Sequence, residues 1–157
     1  MKIKLLMVGK TVDSDLIKLI ENYQKRLTHY VNFEAVIIPD IKNAKNLTSD
    51  QQKEKEAELL LSKMEPTDEV ILLDERGKVF TSVQFARFLE EKMLYSSKNL
   101  TFVVGGAYGF SEKVYERAGG LLSLSAMTFS HQMIRLLFVE QLYRAMTIIK
   151  GEPYHHE

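Results

Sequence analysis

The sequence has no cysteine, no net charge and no long hydrophobic run. Without cysteine, the chain can form neither a disulfide framework nor a metal site with thiolate ligands. A formal net charge of zero at pH 7 argues against a protein that grips nucleic acid through bulk positive charge, but it leaves a local basic face open. No apolar run approaches the ~20 residues that a membrane-spanning helix needs. The first residues lack the apolar segment of a signal peptide, so we expect a soluble cytoplasmic protein.

The composition is that of a globular protein. Of 157 residues, 45% are hydrophobic and 27% are charged, and this length suits one domain, residues 1–157, with a real core. Short apolar runs alternate with segments of helical periodicity along the whole chain. This alternation predicts an α/β fold in which helices cover both faces of a parallel sheet.

Local signals place the elements. Strands are predicted from apolar runs, at 3–8, 33–38, 70–73, 100–104 and 121–124. Capping boxes predict the starts of two helices, with Thr48 and Gln51 opening one to about residue 64, and Thr81 and Gln84 opening one to about residue 95. Residues 49–56 are wholly polar and predict a solvated helix face, and residues 74–78 are predicted to be a loop.

Two loops follow carboxyl ends of predicted strands and form the candidate ligand site. The first, 105–109, is rich in glycine and would let a ligand approach the backbone closely, although an ordinary strand-to-helix turn capped by Ser111 has the same residues. The second, 123–131, mixes small polar residues with larger apolar ones, which suits a partly apolar pocket. Neither loop matches a dinucleotide-binding fingerprint or a P-loop.

The last predicted helix, about 131–150, is apolar nearly all round. A sheet can cover only one side of such a helix, so the other side needs a partner. We therefore expect a homodimer formed through this helix. Glu140 and Arg144 are spaced i, i+4 on it and predict a local ion pair.

Four motifs in the second half of the chain carry a resemblance to a known family. They are Val103-Val104-Gly105-Gly106-x-x-Gly109, Leu122-Ser123-Leu124-Ser125-x-Met127-Thr128-Phe129-x-His131-Gln132-x-x-Arg135, Glu140-Gln141-x-Tyr143-Arg144-Ala145 and Pro153-Tyr154-His155. With them the chain resembles, over its whole length, the small single-domain SPOUT methyltransferases that methylate N3 of a pseudouridine in large-subunit (23S) ribosomal RNA. Where that family usually has proline, this chain has Ser130, which can still cap the following helix.

The resemblance implies a fold, a cofactor and a partner. The fold would be a SPOUT sheet with a C-terminal trefoil knot involving both loops and the last helix. The cofactor would be S-adenosyl-L-methionine and the partner ribosomal RNA, within the assembled ribosome. Cofactor-binding backbone groups are expected at Leu73, Gly105, Leu124, Ser125, Ala126, Met127, Thr128 and Phe129.

The predicted catalytic residues are His155 and Tyr154, in the tail that directly follows the last helix, and Arg144, in a motif that carries the resemblance. We expect the tail to complete the active site across the dimer interface, the alternative being a disordered terminus. His131 is expected to pack against the second loop, and Arg135 and Arg144 are candidates for phosphate contacts. A metal site at residues 155–157 is not expected, since adjacent residues without a further ligand cluster rarely bind one.

Two other classes of function fit the residues. One is a non-enzymatic ribosome-binding module that kept the fold and lost the cofactor. The other is an α/β enzyme for a different nucleotide-like ligand, against which the missing fingerprints count. Titration with S-adenosyl-L-methionine separates the first class from a methyltransferase, and a ligand thermal-shift panel tests the second.

Overall fold

The computed structural model describes residues 1–156, which form alternating strands and helices. The strands are β1 (Lys2–Val8), β2 (Asn32–Ile38), β3 (Glu69–Val79), β4 (Leu100–Val104) and β5 (Gly120–Ser123). The helices are α1 (Ser14–Leu27), α2 (Ser49–Ser62), α3 (Ser82–Tyr95), α4 (Glu112–Arg117) and α5 (Met133–Ile149). The predicted α/β alternation is confirmed.

The strands form one sheet in the order β2-β1-β4-β3-β5, and every neighbouring pair is parallel. The central strand β4 is buried at all five positions. All five strands therefore present their carboxyl ends at one edge of the sheet, and the loops that follow them meet there.

Two hydrophobic cores lie on opposite faces of the sheet. Alternate residues of each inner strand point to each face, so that Phe102 packs in one core and Val103 in the other. The first core is closed by α1, α3 and α5, and the second by α2 and α4. Because both faces are covered, the inner strands are apolar without alternation, as the sequence indicated.

Both predicted capping boxes are present. The Thr48 hydroxyl accepts from the backbone N–H of Gln51 at 3.1 Å, and the Gln51 side chain accepts from the backbone N–H of Thr48 at 2.9 Å. Thr81 and Gln84 make the same pair of bonds at the start of α3. Each box satisfies two backbone donors that a helix start otherwise leaves unpaired.

The prediction of a loop at 74–78 is wrong, because β3 continues through these residues to Val79. Its pairing with β5 is irregular: Leu122 lies opposite both Leu73 and Lys78, so the residues between them bulge from the ladder. A Cβ at Gly77 would lie 2.5 Å from the backbone nitrogen of Leu122. Glycine is therefore required where β3 rejoins β5.

The first half of α2 is less solvated than predicted. Glu56 is only 4% exposed and lies beside Gly106, in the loop that follows β4. The polar composition of 49–56 correctly indicated that most of this face is exposed, but the pattern did not show that the sheet-edge loop covers its last residue.

Helix α5 packs between α1 and α3 on one face of the sheet. These two helices cover part of the apolar surface that we attributed to a partner. Leu136, Leu137, Ile148 and Ile149 stay partly exposed, and Met133 is exposed. The homodimer stays a prediction, and the exposed apolar surface of α5 that supports it is smaller than the sequence indicated.

Candidate functional site

A cavity of about 800 Å³ opens at the carboxyl edge of β4, β3 and β5. Its floor includes Leu73, Val104 and Leu122, at or near the ends of these strands, and its walls are the loops 105–110 and 123–131. It is large enough for a nucleoside-sized ligand, and it offers backbone polar groups next to apolar side chains.

Seven of the eight predicted cofactor-binding residues line this cavity, and Ala126 is the one that does not. The second loop is held by its own hydroxyls: Ser123 Oγ donates to the Ser125 carbonyl at 2.7 Å, and Ser125 Oγ accepts from the Met127 backbone N–H at 3.0 Å. Thr128 Oγ1 donates to Glu75 Oε2 at 3.2 Å, which ties the loop to the bulge of β3. These side-chain bonds therefore fix the shape of the loop.

The glycine loop turns tightly over the end of β4. The backbone N–H of Gly109 donates to the Gly106 carbonyl at 3.2 Å, and Gly109 has a φ of 80° that favours glycine. A Cβ at Gly105 would lie 3.0 Å from the Phe110 ring. Ser111 precedes α4 as predicted, but its side chain makes no capping bond, and in residues 1–156 its buried Oγ has no hydrogen-bond partner.

Sequence reasoning did not predict the contacts that join Asp74, Arg76 and Tyr115 on the cavity wall. Tyr115 donates a short hydrogen bond to Asp74 Oδ2, while Arg76 Nε donates to Asp74 Oδ1 at 3.3 Å and the guanidinium lies 4.5 Å from the centre of the Tyr115 ring. Burial opposes the ionisation of Asp74, but the bonds from Tyr115 and Arg76 hold its pKa below the ordinary value. The one local sign in the sequence was Gly77, because a glycine that follows charged residues at the end of a strand can mark a β-bulge.

Arg135 does not serve as a phosphate contact. Its side chain is fully buried, and it donates to the carbonyl of Val8 at 2.7 Å and to that of Gly9 at 2.8 Å. It also donates to Thr11 Oγ1 at 3.0 Å and to the His131 carbonyl at 3.1 Å. Burial lowers the pKa of the guanidinium. Arg135 therefore joins the start of α5 to the end of β1, and that prediction is wrong.

The residues before α5 form the far wall of the cavity. His131 lines the cavity and is exposed, and its predicted packing against the second loop stays a prediction. Ser130 Oγ accepts from the Met133 backbone N–H at 3.1 Å, so serine does cap this turn. Gln132 binds the segment after β1, donating to the Lys10 carbonyl at 3.1 Å and accepting from the Val12 backbone N–H at 2.9 Å.

The three predicted catalytic residues lie together, but outside the cavity of their own chain. Tyr154 donates to Glu140 Oε1 at 2.9 Å, and its hydroxyl lies 3.4 Å from that of Tyr23. Arg144 forms the predicted ion pair with Glu140 at 2.7 Å and lies 3.1 Å, through Nη1, from Nδ1 of His155. Burial and the bonds to Tyr23 and Glu140 raise the pKa of Tyr154 well above its ordinary value, so its hydroxyl stays protonated.

Comparison with known proteins assigns the family. Residues 1–155 match the family described as predicted SPOUT methyltransferase. The chain belongs to the SPOUT methyltransferases. It is 60% identical to the ribosomal RNA large subunit methyltransferase H of Parabacteroides distasonis and 59% identical to that of Flavobacterium johnsoniae, each over the full length of both chains.

The solved structures agree on the fold. A probable methylase family protein from Haemophilus influenzae Rd KW20 superposes with a TM-score of 0.50 at 11% identity, covering 99% of this chain and 70% of that one. The similarity concerns the fold alone. The fold similarity confirms the predicted α/β sheet, the family match identifies it as the SPOUT type, and the trefoil knot stays a prediction.

Two further expectations for this SPOUT protein concern metals and membranes. Within residues 1–156 no group of three or more histidine, aspartate or glutamate side chains is arranged to hold a metal ion. Glu157, the last residue of the segment considered for a metal, lies outside the described residues. None of the helices in the described part of the chain is long and apolar enough to span a membrane.

Proposed function

We propose that this chain is an S-adenosyl-L-methionine-dependent methyltransferase of large-subunit ribosomal RNA, with N3 of a pseudouridine as its target. The observation that carries the proposal is the identity of about 60% with full-length relatives named ribosomal RNA large subunit methyltransferase H. The cavity at the carboxyl edge of the sheet also supports it, because it lies where the family resemblance expects the cofactor. The chain would act as one domain in the cytoplasm, on ribosomal RNA within the ribosome.

The cavity fits the cofactor in size and in chemistry. About 800 Å³ accommodates a nucleoside with a methionine chain, and a Cβ at Gly105 would crowd the Phe110 ring beside it. The groups that would hold the cofactor are the backbone of Leu73, of Gly105 and of residues 124–129. When bound, it supplies a methyl group on a positively charged sulfur, and the protein supplies binding and alignment.

The target N3 must lose its proton as it takes the methyl group. The candidates to assist this step are Tyr154, His155 and His131. Tyr154 stays protonated and so anchors the tail rather than acting as a base. Arginine can only donate, so its contact with His155 makes Nδ1 the acceptor and leaves the proton of the neutral ring on Nε2. His131, on the cavity wall, is the candidate to accept the N3 proton, and His155 is the residue of the tail proposed to approach the uracil edge.

We also propose that the active enzyme is a homodimer, formed through α5, in which the tail of one subunit completes the site of the other. The tail is placed by specific bonds rather than left as a frayed end: Tyr30 donates to Glu152 Oε2 at 2.5 Å, and Tyr154 packs edge-on against Tyr143. Since Tyr154 and His155 do not line the cavity of their own chain, a second copy is needed to bring them to it. Glycine at 151, with a φ of 70°, allows the turn after α5.

The polypeptide path supports the proposed knot. After β5, at one edge of the sheet, the chain crosses the ends of β3 and β4 and is fixed to the end of β1 by Arg135. The loops 105–109 and 124–129 both line the cavity. A knot there would hold both cofactor loops against each other.

Three measurements test the proposals. Calorimetric titration with S-adenosyl-L-methionine should show binding, and its absence would favour a ribosome-binding module that lost the cofactor. Mass spectrometry of ribosomal RNA from a strain lacking the protein should show loss of one methylated pseudouridine, and an unchanged pattern would refute the assigned reaction. Light scattering at micromolar concentration should give a dimer.

The tail is tested by deleting residues 153–157 and measuring methylation of 70S ribosomes at saturating cofactor. We expect loss of turnover with cofactor binding and dimerisation retained. Wild-type turnover in the deletion variant would show that the tail takes no part in the reaction. As a control, Glu58→Ala, at an exposed position on α2, should leave turnover unchanged.

A further inference from the structure

A buried carboxylate lies directly behind the glycine loop of the cavity. Glu56 on α2 is 4% exposed, and its Oε1 and Oε2 lie 2.9 and 3.0 Å from the point where a Cβ at Gly106 would stand. Only a residue without a side chain fits between this carboxylate and the loop. Gly106 itself lines the cavity, so the charge of Glu56 is separated from the ligand space by little more than the loop backbone.

The protein itself leaves this charge largely uncompensated. Gln52 Nε2 donates to Glu56 Oε2 at 3.2 Å, and among residues 1–156 no lysine or arginine forms an ion pair with it. Burial and the nearby negative charge of Asp40 raise the pKa of Glu56, while the Gln52 bond and His131 act in the opposite direction. A buried carboxylate with one neutral hydrogen bond is costly.

A positively charged ligand in the cavity would compensate it. The methyl donor carries a positive charge on its sulfur, whereas the demethylated product, S-adenosylhomocysteine, has a neutral thioether there. The two molecules otherwise differ by one methyl group. A negative charge buried beside the cavity therefore stabilises the bound donor and gives no comparable stabilisation to the bound product, and low exposure to water makes the effect larger.

We propose that Glu56 is a specificity-determining residue that strengthens the binding of the charged methyl donor relative to the neutral product. The proposal rests on the proposed function, because it requires the cavity to hold this cofactor. Glu56 acts through its electrostatic field and does not contact the substrate, since it is buried behind Gly106 and does not line the cavity. It would favour release of the product after each transfer.

The test is the ratio of two dissociation constants, for S-adenosylhomocysteine and for S-adenosyl-L-methionine, measured by calorimetry. We expect Glu56→Gln, which keeps the shape and removes the charge, to lower this product-to-donor ratio roughly tenfold. Glu56→Asp keeps the charge and should keep most of the ratio even where both ligands bind more weakly. The matched control is Glu54→Gln, one exposed carboxylate on the same helix, 49% exposed, which should leave the ratio unchanged.

The outcomes distinguish a failure of the proposed function from a failure of the proposed role of Glu56. If the wild-type protein binds neither ligand, the proposed function fails. If it binds both and Glu56→Gln leaves the ratio unchanged, or weakens both equally, Glu56 has a structural role only and this inference is overturned. Should Glu56→Gln not fold, Glu56→Met removes the same charge with an apolar side chain of similar length, and the same ratio decides.

Discussion

The bonds made by Arg135 predict a large loss of stability when its guanidinium is removed. In Arg135→Met, the carbonyls of Val8 and Gly9 lose their donors at 2.7 and 2.8 Å in a site closed to water. Each buried acceptor left unpaired costs about 1–3 kcal/mol, and the removed desolvation of the arginine offsets part of that cost. We expect a net loss of roughly 3 kcal/mol, out of a total stability of about 5–15 kcal/mol for a domain.

Urea unfolding followed by circular dichroism measures this loss, and the melting temperature should fall by roughly 10 °C for a domain of this size. The control is Arg87→Met on α3, where the arginine is exposed. Its stability should stay within about 0.5 kcal/mol of wild type. If Arg135→Met were as stable as the control and instead lost affinity for RNA, the phosphate-contact interpretation would be restored and the structural one refuted.

Three further predictions concern glycines and the buried carboxylate. Because the pKa of Glu56 is raised in the folded protein, the ionised carboxylate destabilises the fold above that pKa, and this penalty disappears as the pH falls. Glu56→Gln should therefore have a higher melting temperature than wild type at pH 8, and the difference should shrink at lower pH. A difference that stays constant with pH would contradict this. Gly77→Ala should cost about 3 kcal/mol in urea unfolding because its Cβ would meet the backbone of β5 at 2.5 Å, whereas Gly120→Ala, with open space around it, should cost little. Gly105→Val should abolish calorimetric binding of S-adenosyl-L-methionine while the circular dichroism spectrum is retained, since the side chain would enter the cavity beside Phe110; unchanged affinity would place the cofactor elsewhere.

Most strands and helix starts could be predicted because their signals are local. Apolar runs give β1, β2, β4 and β5 to within one or two residues, and each capping box requires only four consecutive residues. The continuation of β3 could not be predicted in the same way, because the charged residues 74–76 bulge outward and only the pairing with β5 makes them part of the strand.

The sequence predicted the two loops that form the walls of the candidate site, but it did not predict the buried charged residues around them. Glycine and small polar residues after strand ends indicated the two loops, and seven of eight named residues do share one cavity. The burial of Arg135 and Glu56 depends on contacts with segments far away in the sequence, and neither polar residue carries a local sign of it. Tyr154, His155 and Arg144 were correctly grouped, but whether they act in catalysis stays a prediction.

The connection made by Arg135 has a consequence for the order in which the protein folds. Its bonds to Gly9 and Val8 join residues 126 and 127 positions apart, and β1 cannot be enclosed in the sheet before β4 has been synthesised. Pairings this distant in sequence form slowly, because the intervening chain must be ordered before they contribute. The second loop of the cavity lies just before Arg135, so its shape is fixed only when the two ends of the chain have met. During refolding, the ability to bind a ligand should therefore return with the slowest kinetic phase, well after the helical signal has recovered.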